Sequence, residues 1–412
     1  MIVATLQKAD RWLGIPLCFA LTCVRALLAR STVPASAPLR NILLVKLAEQ
    51  GSTVLAYAAL RRAVELVGRE NVYFITFEDN RFILDVLDVV PAANVITVSF
   101  DTFPALLRSA LGAIGRLRQL NLDAAIDMEF FSRGSAALTF LSGARRRAGF
   151  HAFFGAGPYR GNLMTHRLLY NPHLHTSQTF QTLVEALRCD AAALPTCGLT
   201  PPAANHEPPQ FVPRPDELAQ VKDLVRSETG GQPPLILLNP NASDLLPLRR
   251  WPPERYVELA QRLLAKFPGV WVGFTGARGE APVTAELVRQ VGSARCVSFA
   301  GKTTLRQLLV LYTLADVLVT NDSGPAHFAT VTPIRVVTLF GPETPALYGA
   351  RSPRNSVLWA GIICSPCVNA YNNRQSPCRN NLCLQAITVD QVFGEACRAY
   401  EQQERSRASG AR

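Results

Sequence analysis

Residues 315–329 read ADVLVTNDSGPAHFA. Residues 317–320 (VLVT) form a short apolar and β-branched run, as in a buried strand. Asn321-Asp322-Ser323-Gly324-Pro325-Ala326-His327 follows directly and opens a helix. Ser323 is placed to cap that helix, Pro325 suits its first turn, and Gly324 lets a ligand approach the backbone. Strand, small polar turn and helix start make the unit of a parallel α/β sheet. A helix start also offers unpaired N–H groups and a positive dipole end to a diphosphate. A capped helix with no ligand satisfies the same local sequence.

Two more loops of this kind lie upstream. Asn239-Pro240-Asn241-Ala242-Ser243 follows the apolar run at 235–238 and precedes Arg249-Arg250-Trp251-Pro252. Small polar residues can cradle phosphate there, and Arg249 can neutralise it; a polar surface loop is the alternative. Thr275-Gly276-Ala277-Arg278-Gly279-Glu280 follows the run at 270–274. Glu280 reads as a ribose-binding acid or as an ordinary carboxylate at a helix start.

The alternation extends along the chain. Strands are expected at 41–47, 72–77, 95–98 and 124–128, then at 235–238, 270–275, 317–320 and 336–340. Helices are expected at 215–227, 253–267, 281–291 and 305–315. Seven prolines from Pro195 to Pro215 mark a linker. The fold class expected is therefore α/β, with a first Rossmann-like domain at 39–200, a Pro-rich linker and helix at 201–231, and a second domain carrying the three loops at 232–412. Two such domains imply a cleft between them in which ligands bind. The 412 residues suffice for two cores, and no recurring period points to a solenoid. A net charge of +11 favours anionic partners. The arginines are scattered and form no nucleic-acid motif, which places nucleic acid last.

Residues 12–24 (WLGIPLCFALTCV) form an apolar run between Arg11 and Arg25, too short to span a bilayer. A helix lying in a membrane interface fits best: apolar body, basic ends and an early Trp. A signal peptide cleaved near Ala35-Ser36-Ala37 and a plain buried helix are the alternatives. Residues 31–38 then form a linker.

NDSGPAHFA, LFGPETPALYG at 339–349, RRWPPERYVELAQRL at 249–263 and the CSPC segment at 364–367 resemble bacterial family 9 glycosyltransferases of the lipopolysaccharide heptosyltransferase type. The resemblance runs from about residue 41 to 392. It implies a GT-B architecture, two Rossmann-like domains with parallel sheets facing across a cleft, here preceded by an N-terminal apolar helix. It also implies inverting transfer without a metal cofactor. By position, Asn241, Ser243 and Arg249 would meet the donor phosphates and Glu280 the ribose. Asp322, Ser323, Gly324 and His327 match the pyrophosphate- and sugar-facing loop.

One departure matters. The family carries a general-base Asp after the glycine of the first strand–turn–helix, where this chain reads Ala48-Glu49-Gln50-Gly51-Ser52-Thr53. Ser52 stands in the Asp's place and cannot act unaided as a base at neutral pH. Glu49, Asp127 and Glu129 are the candidate replacements, and Glu129 is preferred for its polar neighbours. The Arg145–Arg147 run reads as a solvated helix end, or as a site for an anionic acceptor.

Cys364, Cys367, Cys378 and Cys383 have the spacing C-x2-C-x10-C-x4-C. Free or paired thiols are one reading, and a structural zinc or iron–sulfur cluster is the other. The remaining cysteines read as small buried hydrophobes.

The function expected is sugar transfer, of heptose by family default, from a nucleotide-diphospho donor to a lipid-linked or envelope saccharide at the inner face of the cytoplasmic membrane. No cofactor is expected for catalysis. A nucleotide-sugar-binding scaffold that has lost its base, and a sugar-nucleotide epimerase, are the alternatives.

Overall fold

The computed structural model describes residues 10–28, 34, 36–155, 157–195, 200, 202–203, 208–242 and 246–410. Ser243, Cys197 and Ala35 lie outside them. The chain divides into two compact units: Met1–His206 with Asn369–Gln375, and Glu207–Val368 with Ser376–Arg412. Seven residues that follow the second unit's last strand in sequence thus belong to the first unit.

The first unit is built on β1 (Ile42–Val45), β2 (Val72–Phe77), β3 (Val95–Val98), β4 (Ala124–Asp127), β5 (Arg146–Phe150) and β6 (His166–Leu168). They form one sheet in the order β3-β2-β1-β4-β5-β6, and every pair is parallel. β1 and β4 are buried on both faces, which explains why they read as unbroken apolar runs. One core packs Leu43, Val45, Ile75 and Ile96 against Ala113 and Leu117 of the helix Phe103–Gln119.

The second unit repeats the plan with β7 (Leu235–Asn239), β8 (Trp271–Phe274), β9 (Cys296–Ser298), β10 (Val317–Asn321), β11 (Arg335–Phe340) and β12 (Asn355–Trp359). Its order is β12-β11-β10-β7-β8-β9, again all parallel. The helix Pro253–Lys266 places Tyr256, Leu259 and Leu263 on one face against Trp251 and Phe274, and the C-terminal helix Val389–Gly410 adds Val392, Ala396 and Tyr400. Trp251 is fully buried, and its indole N–H donates to the Ile387 carbonyl at 3.0 Å. Both sheets have the doubly wound order, so the chain direction switches between β1 and β4 and between β7 and β10. Ligands of such sheets bind beyond the carboxyl ends of the strands at that switch.

Three expectations are corrected. The Arg145–Arg147 run is no solvated helix end, because Arg146 and Arg147 are buried in β5. Carbonyl oxygens absorb their charge: Arg146 donates to Leu187, Pro34 and Ala37, and Arg147 to Leu163 and Ala144. The helix after Ser323 is a single turn, Gly324–Phe328, and the Ser323 hydroxyl donates back to the Asn321 carbonyl at 3.2 Å instead of capping it. Among the dispersed cysteines, Cys18 and Cys296 are buried, but Cys23 is exposed.

Candidate active site

In the second unit, four loops leave the carboxyl ends of β7, β8, β10 and β11. Asn321, the last residue of β10, ties its own loop to the one after β7. Its side-chain N–H groups donate to the carbonyls of Pro240 (2.9 Å) and Asn241 (3.2 Å), and its oxygen accepts from Trp251 N (3.1 Å). The Asn241 side chain donates across to the Thr275 carbonyl at 3.1 Å. Gly276 makes this approach feasible, since a Cβ there would stand 2.6 Å from Asn241 Nδ2 and 3.0 Å from Glu280 Oε2. Glu280 accepts from Ala277 N at 2.6 Å, which sets its carboxylate at the mouth of the β8 loop.

Arg249 is brought to the same edge. Its Nη2 lies 2.5 Å from Glu343 Oε2, and its Nε 3.7 Å from Asp322 Oδ2. Both carboxylates are buried, so the guanidinium is fixed in place. Asn241, Arg249, Asp322 and Ser323 are therefore held at one edge of adjacent loops, and Gly324 and His327 lie on the single-turn helix that follows Ser323. His327 is buried in the single-turn helix. Glu343 was not singled out from sequence. Its only sequence signal is its place in the GPET turn after β11.

In the first unit, the turn after β1 holds Glu49 in a left-handed conformation (φ 66°), an uncommon state for a residue with a side chain. Such outliers concentrate at functional sites. The Ser52 hydroxyl donates to the Glu49 carbonyl at 2.8 Å and lies 3.5 Å from Glu49 Oε2. Glu49 Oε1 is paired with Arg374. Arg374 belongs to the segment 369–375, which is seated on an aromatic cluster. The Tyr371 hydroxyl donates to the Tyr170 carbonyl, its ring lies 5.7 Å from Phe131, and Arg374 stands over Phe130.

The other two carboxylates are committed. Glu129 Oε1 accepts from Lys46 Nζ (2.9 Å), Leu47 N (2.8 Å) and Ala48 N (2.9 Å). Lys46 is buried and donates also to the Ala48 carbonyl. The pair therefore ties the end of β1 to the end of β4 and holds the turn that carries Glu49. Asp127 is wholly buried, pairs with Arg160, and accepts from Ser135 Oγ at 3.0 Å and Glu129 N at 3.1 Å. Burial pushes its carboxyl up to about 6, against the pull of Arg160. Lys46, Arg160 and Arg374 gave no sequence signal, because each acts through a partner distant in the chain.

Arg160 also donates to the carbonyls of Ser132, Phe130 and Phe150. Arg160→Ala would strand a buried carboxylate and three carbonyls. It should cost at least about 3 kcal/mol of stability, the scale for breaking a buried pair, read as a lower urea midpoint.

The cysteine segment is looser. Cys364 is exposed, Cys367 Sγ accepts from Ser376 Oγ at 3.3 Å, and Cys378 Sγ lies 3.0 Å from the Asn380 carbonyl. Burial, with the other three thiols adding to it, raises Cys383 to about 11. Among the described residues, no group of three or more His, Cys, Asp or Glu side chains is arranged to hold a metal.

Residues 112–376 match glycosyltransferase family 9 (heptosyltransferase). The chain belongs to that family. Lipooligosaccharide heptosyltransferase 2 of Haemophilus influenzae is 30% identical over 142 residues, 33% of this chain and 40% of that protein. Lipopolysaccharide heptosyltransferase 2 of Salmonella typhimurium is 35% identical over 115 residues, 27% and 32% of the two chains. The alignments thus span well under half of these relatives. Two solved structures share the fold over nearly their whole length. The ADP-heptose lps heptosyltransferase II of E. coli superposes with a TM-score of 0.65 at 20% identity, covering 88% of this chain and 99% of that one. A family 9 glycosyl transferase from Veillonella parvula gives 0.69 at 17% identity, with 90% and 99% coverage. An iron-containing dodecameric glycosyltransferase, TibC of E. coli, gives 0.50 at 13% identity, covering 90% and 78%.

Proposed function

We propose that this family 9 protein transfers a sugar, heptose by family default, from a nucleotide-diphospho donor to a lipid-linked or envelope saccharide. Transfer proceeds with inversion and needs no metal. The lipid-linked acceptor places the work at the inner face of the cytoplasmic membrane. The observation that carries the reading is the Arg249 network: an arginine fixed by two buried carboxylates beside three loops at a topological switch.

Glu49 is the base in this account: it lies in the turn where the family carries its base, and it is the most exposed of the three carboxylates, at 40% against 14% for Glu129 and 0% for Asp127. The acceptor hydroxyl gives its proton to the Glu49 carboxylate as its oxygen attacks the anomeric carbon. The bond from that carbon to the diphosphate oxygen breaks, and the nucleoside diphosphate leaves. One displacement inverts the centre. Charge growing on the leaving oxygens is met by Arg249 and by backbone N–H groups of the loops. Asp322 and Glu280 are suited to accept from sugar and ribose hydroxyls.

A thermal-shift screen against ADP-, UDP-, GDP- and CMP-sugars tests the donor half. A donor that binds the native state raises the melting temperature by mass action. One nucleotide class should stabilise the protein and should lose that effect in Arg249→Lys. No shift with any donor would refute the reading.

Arg374 is a positioning residue in this account: its ion pair with Glu49 Oε1 holds that carboxylate in place. Arg374→Ala should lower kcat about tenfold, an order typical of a misplaced catalytic group, with the donor KM unchanged. Arg374→Lys should restore most of it. Equal losses in both parameters, with no rescue by lysine, would mark a purely structural role.

A further inference from the structure

The helix Gly14–Leu27 is seated on the first unit by one stripe only. Gly14 and Cys18 are buried, and Leu21, Thr22 and Arg25 are half-buried, a spacing that keeps one face inward. The seat is built for it. A Cβ at Gly14 would stand 2.7 Å from Arg133 Cβ, and one at Gly161 would stand 2.6 Å from the Cys18 carbonyl. Thr22 Oγ1 accepts from Asn162 N at 2.9 Å, and Arg25 donates to the Asn162 carbonyl. Asp10 accepts from the backbone N–H groups of Arg133 (2.9 Å) and Gly134 (2.8 Å) at the start of the helix Arg133–Leu141. The segment is thus fastened along its length.

The outward face is unusual. From residue 12 to 28 every exposed position except Cys23 is apolar, and Arg25 is the only charged residue in the stretch. Trp12 is 74% exposed, Phe19 62% and Leu27 85%. On a helical wheel this apolar surface covers about 220°, more than half the circumference. A helix apolar all round requires cover on every side. Among the described residues, no helix is long and apolar enough to cross a membrane, and 14 residues reach only about 21 Å. The inward stripe already holds the helix flat against its unit.

Charge decides what covers the other side. Arg11 stands exposed at one end. At the other, Arg25, Arg167 and His151 lie near enough to repel: burial first and Arg167 second lower the affinity of both Arg25 and His151 for protons. Arg160, which also faces His151, is neutralised by Asp127, and Asp10 is paired with Arg133. A second copy would present the same cations and few polar groups to specify a contact, whereas protein interfaces carry about one hydrogen bond per 100–200 Å². Anionic headgroups complement the cations, and acyl chains complement the face.

We propose that the outward face of the helix Gly14–Leu27 lies in the interfacial layer of an anionic bilayer, with Arg11, Arg25 and Arg167 at headgroup level. The inference deepens the membrane-side location proposed above and rests on it. Vesicle binding is read without donor or acceptor, so it succeeds or fails separately from transfer. The test is co-sedimentation of the full chain with phosphatidylcholine vesicles, pure or doped with phosphatidylglycerol. Phe19→Glu/Leu27→Glu changes only solvent-facing side chains, so its melting temperature should match the parent's. The parent should bind the doped vesicles, bind the neutral ones more weakly, and release with salt. The double variant should lose binding by roughly tenfold or more. Equal binding by parent and variant, or to doped and neutral vesicles, would overturn the proposal. So would self-association without vesicle binding that the variant abolishes, which would assign the face to a second copy.

Discussion

Glu49→Gln should lower kcat by about 10²–10⁴-fold, the range attributed to a positioned general base. The substitution is nearly isosteric and keeps a hydrogen-bond acceptor for Arg374, so the turn after β1 should keep its shape. It removes the one thing a proton needs, an anionic oxygen beside the acceptor hydroxyl. Donor affinity should not change, because the donor loops belong to the second unit. Glu129→Gln gives the contrast. Glu129 Oε1 holds three donors at the base of the turn, one of them the buried Lys46 ammonium, so removing its charge should lower stability and activity together. A Glu49→Gln enzyme with near-parent kcat would return the search for the base to its beginning.

Arg249→Lys should reduce kcat/KM by about 10²–10³-fold, the scale for losing one oriented donor to a developing oxyanion. Lysine is the informative substitution. Alanine would leave Asp322 and Glu343 buried without their guanidinium, and unfolding could then masquerade as lost binding. Lysine keeps the charge but loses the planar fork that serves two carboxylates at once. The fall should appear in kcat as well as KM, because leaving-group charge is greatest in the transition state. A change in KM alone would make Arg249 a binding residue with no part in the chemistry.

The parts of the fold readable from sequence were those whose local chemistry and tertiary role agree. β2, β3, β7, β10 and β11 are apolar runs because both faces of the sheet are covered. The helix Pro253–Lys266 announces itself by a proline in its first turn and one apolar stripe. Strands β5, β6, β9 and β12 were passed over for physical reasons. β6 and β9 are three residues long, and β12 is an edge strand with a half-exposed face. β5 begins with two arginines that look like surface until the carbonyls that bury them are seen.

The site shows the same division. The loops carrying Asn241, Glu280 and Asp322 were legible because each follows a recognisable strand. The pairings that rank the carboxylates were not. Lys46 meets Glu129, Arg160 meets Asp127, and Arg374 meets Glu49 across 325 positions of sequence. A single sequence carries no sign of such contacts. The resemblance to family 9 supplied the expectation of a base in the first turn. The sequence already sets Glu49 three residues before Ser52, and the structure adds the bond from the Ser52 hydroxyl to the Glu49 carbonyl.

The most direct test of the account is acceptor-dependent release of nucleoside diphosphate. The full chain is incubated with each nucleotide-heptose or nucleotide-hexose, with and without an envelope lipid extract, beside Glu49→Gln. The account predicts release from one donor class, only when acceptor is present, and its loss in the variant while the donor's thermal shift persists. No release from any donor, or equal release by Glu49→Gln, would contradict it.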